Sequence, residues 1–132
     1  MREVNSIHIH HSGTDYAHHD YVAFIRKIHV KQNGWRDVGY NYFINQKGHL
    51  FICRPINQSP ASIKGHNFGA IAICVSGASG INDDQKSTLI KLCRNLVSIF
   101  NIDEKNILRH KDLADTLCPN FDINFLKKAI YE

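Results

Sequence analysis

Residues 5–11 alternate in polarity, with Ile7 and Ile9 on one side and His8 and His10 on the other. A period of two is that of an extended chain, so the segment predicts a half-buried strand with these histidines on its outward face. Tyr21, Phe24, Ile25 and Ile28 then recur at helical spacing, and Gly34 stands where a helix of about three turns would end. Tyr40 to Ile44 and His49 to Cys53 read as two strands, and Asn45-Gln46-Lys47-Gly48 between them as a hairpin turn with its glycine last. Ala70 to Val75 is apolar throughout and bounded by Gly69 and Gly77, the pattern of a central strand buried on both faces. Asn82 followed by Gln85 is a capping-box variant, and Leu89, Leu92, Cys93, Leu96, Val97 and Phe100 form the apolar stripe of the helix it opens. Asn106 to Leu108 predicts a last short strand, and Asp122 a cap for a C-terminal helix carrying Phe125, Leu126 and Ile130. The order β-α-β-β-β-α-β-α predicts an α/β fold: one domain over 1–132, a central mixed sheet flanked by about three helices.

Composition narrows the class. A chain of 132 residues and 15.1 kDa has room for one core, burying roughly two thirds of the surface of its unfolded form. A hydrophobic fraction of 43% excludes a disordered chain. The net charge of +4 is spread along the sequence with no basic run longer than two, which argues against a nucleic-acid arm and suits an anionic polymer such as a cell wall. No tract approaches the roughly 18 apolar residues of a membrane span, and the first residues lack the apolar core of a secretory signal. Synthesis in a cytoplasm and release by some other route are therefore expected. The four cysteines, Cys53, Cys74, Cys93 and Cys118, form no CxxC pair, so reduced thiols are expected rather than a disulfide scaffold or a zinc knuckle. Nine histidines are the compositional oddity, and they direct the search to metal or acid–base chemistry.

His110 and Cys118 stand eight residues apart, with Pro119 blocking helix continuation after the cysteine, so the segment reads as a loop. A loop following a strand can set a histidine beside a cysteine, and His10 on the first strand is the natural third member. Three protein ligands and one open position define a catalytic zinc, four a structural one. Spacing alone leaves a second reading, in which Cys118 is a small core hydrophobe. Tyr40 on its strand reads equally as a packing residue, His29 as a structural histidine and Trp35 as a packing anchor. His11 reads as hydrogen-bonded in or near the core, His8 as exposed or as a neighbour of the site, and His18 and His19 as solvated. Asp112 and Asp115 either orient His110 or are solvated loop acids.

Four segments together resemble the zinc-dependent N-acetylmuramoyl-L-alanine amidases, the family of small phage endolysins and of peptidoglycan recognition proteins (PGRPs). Ile9-His10-His11-Ser12-Gly13-Thr14 is similar to the strand that opens these enzymes. Gly34-Trp35-Arg36-Asp37-Val38-Gly39-Tyr40-Asn41-Tyr42, after a helix bearing His29, resembles their GW-x-D-[IV]-GY-[HN]-[FY] segment. Lys64-Gly65-His66-Asn67 and the strand after it resemble the KG-[HY]-N loop, and His110 through Cys118-Pro119-Asn120-Phe121-Asp122 the H-x7-CPGFD ending. The likeness runs along nearly the whole chain in the right order. It implies a PGRP/amidase-like fold with zinc as cofactor, His10, His110 and Cys118 as metal ligands, and Tyr40 and Thr116 as catalytic residues. It further implies His66 and Asn67 as substrate-binding residues, and peptidoglycan, a muramyl peptide, as partner to a monomer. Thr116 stands where phage enzymes usually have lysine; Ser62 replaces a groove-facing histidine of many relatives, and Phe68-Gly69-Ala70 a more polar segment.

The activity implied is hydrolysis of the amide between N-acetylmuramic acid and L-alanine, in cell-wall lysis after holin-type or other non-Sec release. No HExxH is present, so the usual helix-borne glutamate base is missing. Two other uses of the same fold compete: a non-catalytic wall-binding module, against which Cys118 speaks, and a delivered antibacterial toxin. A cytosolic recycling amidase would need an aspartate ligand and a catalytic glutamate that this sequence does not offer.

Overall fold

The fold is described from a computed structural model, over residues 2–32 and 38–132. Five strands form one mixed sheet: β1 (Ser6–His11), β2 (Tyr42–Ile44), β3 (Leu50–Ile52), β4 (Ala70–Val75) and β5 (Ile107–Arg109), in the order β3-β2-β4-β1-β5. Strand β4 runs parallel to β1 and β2, β5 parallel to β1, and only the β2–β3 hairpin is antiparallel. The helices are α1 (Val22–Arg26), which continues as a π-helical turn over Lys27–Gln32, α2 (Asp83–Phe100), the short α3 (His110–Leu113) and α4 (Asn124–Tyr131).

All six residues of β4 are fully buried, as its unbroken apolar run requires of a strand covered on both faces. One face carries Ile7, Ile9, Ile71, Ile73 and Val75 into a core closed by Leu89, Leu92, Cys93 and Leu96 of α2 and Leu126 of α4. The other face is covered less completely, by a smaller cluster of Ile25, Val38, Phe43 and Cys74 with Phe24 and Tyr40 at its margin. His8 and His10 emerge on this second side because strand residues alternate. The register pairs His8 with Ala72 and His10 with Cys74, so the imidazoles rise beside small side chains.

Helix α2 starts where the capping pattern predicts it. The Asn82 side chain accepts the Gln85 backbone N–H (2.9 Å), and the Gln85 carboxamide accepts the Asn82 N–H (3.1 Å). Gln85 itself is buried and donates to the carbonyls of Asn45 (3.2 Å) and Ser76 (2.8 Å), tying the helix start to the hairpin and to the end of β4. Gly48 closes the hairpin with φ of +82°, and a Cβ there would lie 2.7 Å from the Asp84 carbonyl oxygen. Gly48→Ala should therefore cost about 1–3 kcal/mol of stability, read as a lower denaturant midpoint at unchanged slope.

Several expectations need correction. His8 is buried, 2% exposed, because β1 lies inside the sheet and chain packs on both of its faces. His110 opens the short helix α3, where a loop was expected as far as Pro119. The final strand is shifted by one residue to Ile107–Arg109. Asp122 does not occupy the N-cap of α4, which is Ile123, although its carboxylate accepts the Asn124 N–H (2.6 Å). The stop at Gly34 and the packing of Trp35 lie outside the described residues.

Candidate active site

The floor of the site is β1. His10 projects from it almost fully buried, 1% exposed, and its Nε2 has no hydrogen-bond partner among the described residues. Burial, with the neighbouring His110 and His8, holds its pKa well below the ordinary histidine value. The ring is therefore neutral, the form in which imidazole binds a metal. His110 arrives at the end of adjacent β5, its ring centroid 4.7 Å from that of His10. Parallel pairing of β1 with β5 makes this meeting possible across a hundred residues of sequence.

Cys118 completes the group: the ligand atoms of His10, His110 and Cys118 all lie within 4.8 Å of one another. Its sulfur is held by the backbone N–H of His11 (3.2 Å), and its own N–H donates to the Thr116 hydroxyl (3.3 Å). Burial raises the Cys118 pKa, while the His11 N–H and the charge of Lys111 act against that rise. Two neutral imidazoles and one thiol are a donor set suited to a soft or borderline divalent ion such as zinc. Cys74, Cys93 and Cys118 carry free thiols.

Tyr40 forms the wall next to the triad, with its ring centroid 5.0 Å from that of His10. Burial, and then the Cys74 and Cys118 thiols, push its phenol well above the usual tyrosine value, so it stays protonated and able to donate. Behind it the His29 ring lies 5.3 Å away, and His29 Nδ1 accepts the Gly39 N–H (2.8 Å), which matches the structural reading of that residue.

The other expected residues are arranged differently. Thr116 lies two residues from the cysteine, and its hydroxyl is used as an acceptor within the ligand loop. The His66 side chain is exposed, whereas the Asn67 carboxamide oxygen accepts the N–H groups of Ser62 (2.9 Å) and Ile63 (3.0 Å) and so shapes its own loop. The Ser62 hydroxyl is buried without a partner among the described residues. Asp112 does not orient His110: it is engaged by the Arg109 guanidinium (2.8 Å) and backbone N–H (2.8 Å). His11 is partly buried at the rim, outside the core, and its Nδ1 accepts the Asn120 N–H (3.0 Å). Together with the His11 N–H on the cysteine sulfur, this pairing secures the Cys118 loop. No spacing pattern signals it, since the partners lie 107 and 109 residues apart.

Two histidines and a cysteine are gathered on one face of an α/β sheet with a protonated phenol beside them, a group that could hold a metal ion. The family profile described as N-acetylmuramoyl-L-alanine amidase matches residues 1–121, and the chain belongs to that family. It is 32% identical over 126 residues to the endolysin of Enterobacteria phage T3, covering 89% of this chain and 82% of that protein. It is likewise 32% identical over 127 residues to the endolysin of Escherichia phage T7, covering 90% and 82%. Among solved structures, the N-acetylmuramoyl-L-alanine amidase LysC from Clostridium intestinale URNW superposes with a TM-score of 0.86 at 31% identity, over 96% of this chain and 85% of that one. Drosophila PGRP-LB shares the fold, with a TM-score of 0.78 at 23% identity over 90% and 76%.

Proposed function

We propose that this chain is a zinc-dependent N-acetylmuramoyl-L-alanine amidase of the endolysin kind, cutting the amide between N-acetylmuramic acid and L-alanine in peptidoglycan. The observation that carries the reading is the convergence of His10, His110 and Cys118 within 4.8 Å beside Tyr40. These three residues would hold zinc, and zinc bound there supplies a Lewis acid and a water of pKa near about 7.

The chain's own groups supply the rest. Neutral His10 and His110 leave lone pairs for a metal, and the His11 N–H steadies charge on the Cys118 sulfur. Tyr40, protonated because of its burial, donates a hydrogen bond to the oxygen of the scissile carbonyl as charge develops on it. Thr116 keeps the ligand loop turned so that Cys118 faces the two imidazoles, and its hydroxyl is the second group we assign to the reaction. His66, exposed at the tip of its loop, and Asn67, which fixes that loop, serve the substrate side.

The chain acts as a monomer on the wall, without nucleic acid. No helix among the described residues is long and apolar enough to cross a membrane. Release by a holin-type or other non-Sec route is part of the same proposal.

The test is incubation of purified peptidoglycan with zinc-loaded and with chelated protein. Free stem peptides without new reducing sugars, from the zinc-loaded form alone, are the expected result. Zinc uptake with no cleavage of any wall type would replace the enzyme by a binding module.

A further inference from the structure

The connection between β1 and α1 presents aromatic rings that the metal centre does not use. Tyr16 is 67% exposed, and its ring centroid lies 5.5 Å from those of both His18 and His19. His18 and His19 meet edge-on at 4.1 Å, and His19 lies flat on Phe24 at 3.9 Å and 11°. In this ladder His19 and Phe24 are half-buried, and the core accounts for Phe24, but not for the exposed rings of Tyr16 and His18.

The ladder is anchored at both ends. The Asp15 carboxylate accepts the N–H groups of Ala78 (2.6 Å) and Ser79 (3.3 Å) and the Ser79 hydroxyl (2.7 Å). Asp20 accepts the Gln46 N–H on both oxygens (2.9 and 3.1 Å), and the Thr14 hydroxyl lies 2.8 Å from His19 Nδ1. The rings are thus pre-positioned, which lowers the entropy lost when a ligand settles on them.

Tyr16 also helps to wall a depression of about 350 Å³ with Gly13, Thr14, Asp15 and Ala78. Across Asp15 lies a second depression of about 380 Å³ with polar lining from Gln46, Ser79 and Asn82. The first depression lies close to the Cys118 loop. The Ala78 carbonyl accepts the Asn120 side-chain amide (2.8 Å), two residues beyond Cys118, and Phe24 packs in the same cluster as Tyr40.

The chemistry of this face selects its ligand. Rings with polar edges, next to a depression lined by amide and hydroxyl groups, fit a molecule with apolar C–H faces and a hydroxylated rim. Residues 12–24 contain no lysine or arginine, so the segment that carries the rings supplies none of the cations that a nucleic acid or an acidic membrane demands. Its two carboxylates are already engaged, which leaves little to attract a cation.

We infer that the Tyr16–His18–His19 face is a binding site for the neutral glycan strand, with an N-acetylhexosamine ring stacked on Tyr16 and its polar rim turned to the adjoining depression. The identity of the polymer rests on the amidase reading; the sugar chemistry rests on the rings. The site grips the strand beside the residue whose peptide is removed, without contributing to the bond cleavage.

The probe is a β-1,4-linked N-acetylglucosamine hexasaccharide, which has neither peptide nor scissile amide, titrated into the zinc-loaded chain and followed by NMR. Shifts at Tyr16, His18 and His19 are expected. Tyr16→Ala should weaken binding by about fivefold to tenfold, while Tyr16→Phe stays within about twofold. Because Tyr16 is exposed, neither substitution should disturb folding or turnover of a single-sugar muramoyl-L-alanine substrate. Undiminished binding by Tyr16→Ala, no binding by the wild type, or a preference for single-stranded DNA would each overturn the inference. Sugar binding at Tyr16 in a chain that cuts no wall would instead sink the amidase reading and leave this site standing.

Discussion

Cys118→Ala should release the metal and reduce amide hydrolysis by about a thousandfold or more, leaving the fold in place. Removing one of three ligands leaves two imidazoles, too few to retain zinc through dialysis or to set its geometry. The rate follows, because the metal's contribution of several kcal/mol to the developing charge corresponds to about three powers of ten. Stability is expected to change little, since Cys118 sits in a loop outside both core clusters. Two measurements on the same sample separate the effects: zinc per chain by elemental analysis, and release of L-alanyl peptide from a soluble muramoyl peptide. Cys93→Ala is the contrasting variant. Its thiol is fully buried among α2 residues in the larger core, so it should lower stability and keep its zinc. A Cys118→Ala protein that still carries one zinc per chain would remove the cysteine from the ligand set.

Tyr40→Phe should keep zinc and fold but lose roughly 10²–10³ in kcat, the typical effect of deleting one donor to a developing oxyanion. The ring that packs against His10 and His29 is retained, so only the hydroxyl is lost. The raised pKa adds a second expectation. A donor is lost when it deprotonates, and burial moves that event above the ordinary tyrosine range, so Tyr40 should impose no fall in rate as pH rises toward about 10. Thr116→Val completes the series. A fall in kcat at constant zinc would support a role for its hydroxyl in the reaction. Loss of zinc instead would reduce Thr116 to shaping the Cys118 loop through its contact with the cysteine N–H. An unchanged kcat in Tyr40→Phe would leave the oxyanion without its assigned donor.

Much of this was legible because it is written in local periodicity. The apolar run Ala70 to Val75, the capping pair Asn82 and Gln85, and the glycine of the 45–48 turn each express a short-range requirement of strand, helix or hairpin. Each appears in the structure at or near the expected residues. The ligand candidates were named by the family resemblance, since spacing alone left Cys118 readable as a small core hydrophobe; the structure brings the ligand atoms of His10, His110 and Cys118 within 4.8 Å of one another.

The failures share a cause. His8 alternates like a solvent-facing residue, yet it is buried because packed chain covers both faces of the sheet around β1, and alternation cannot register a cover that comes from elsewhere in the sequence. Asp112 is close to His110 along the chain, but the Arg109 guanidinium captures its carboxylate at 2.8 Å. His11 carries no mark of its task, because its partners Cys118 and Asn120 return to it only after β5 has paired with β1. The chain's own pattern therefore defines its elements, its class and the residues able to bind a metal. Which of them meet, which imidazoles lose their water and which rings stay exposed depend on strand order and on contacts more than a hundred residues apart, because desolvation and ligand geometry are properties of the assembled sheet.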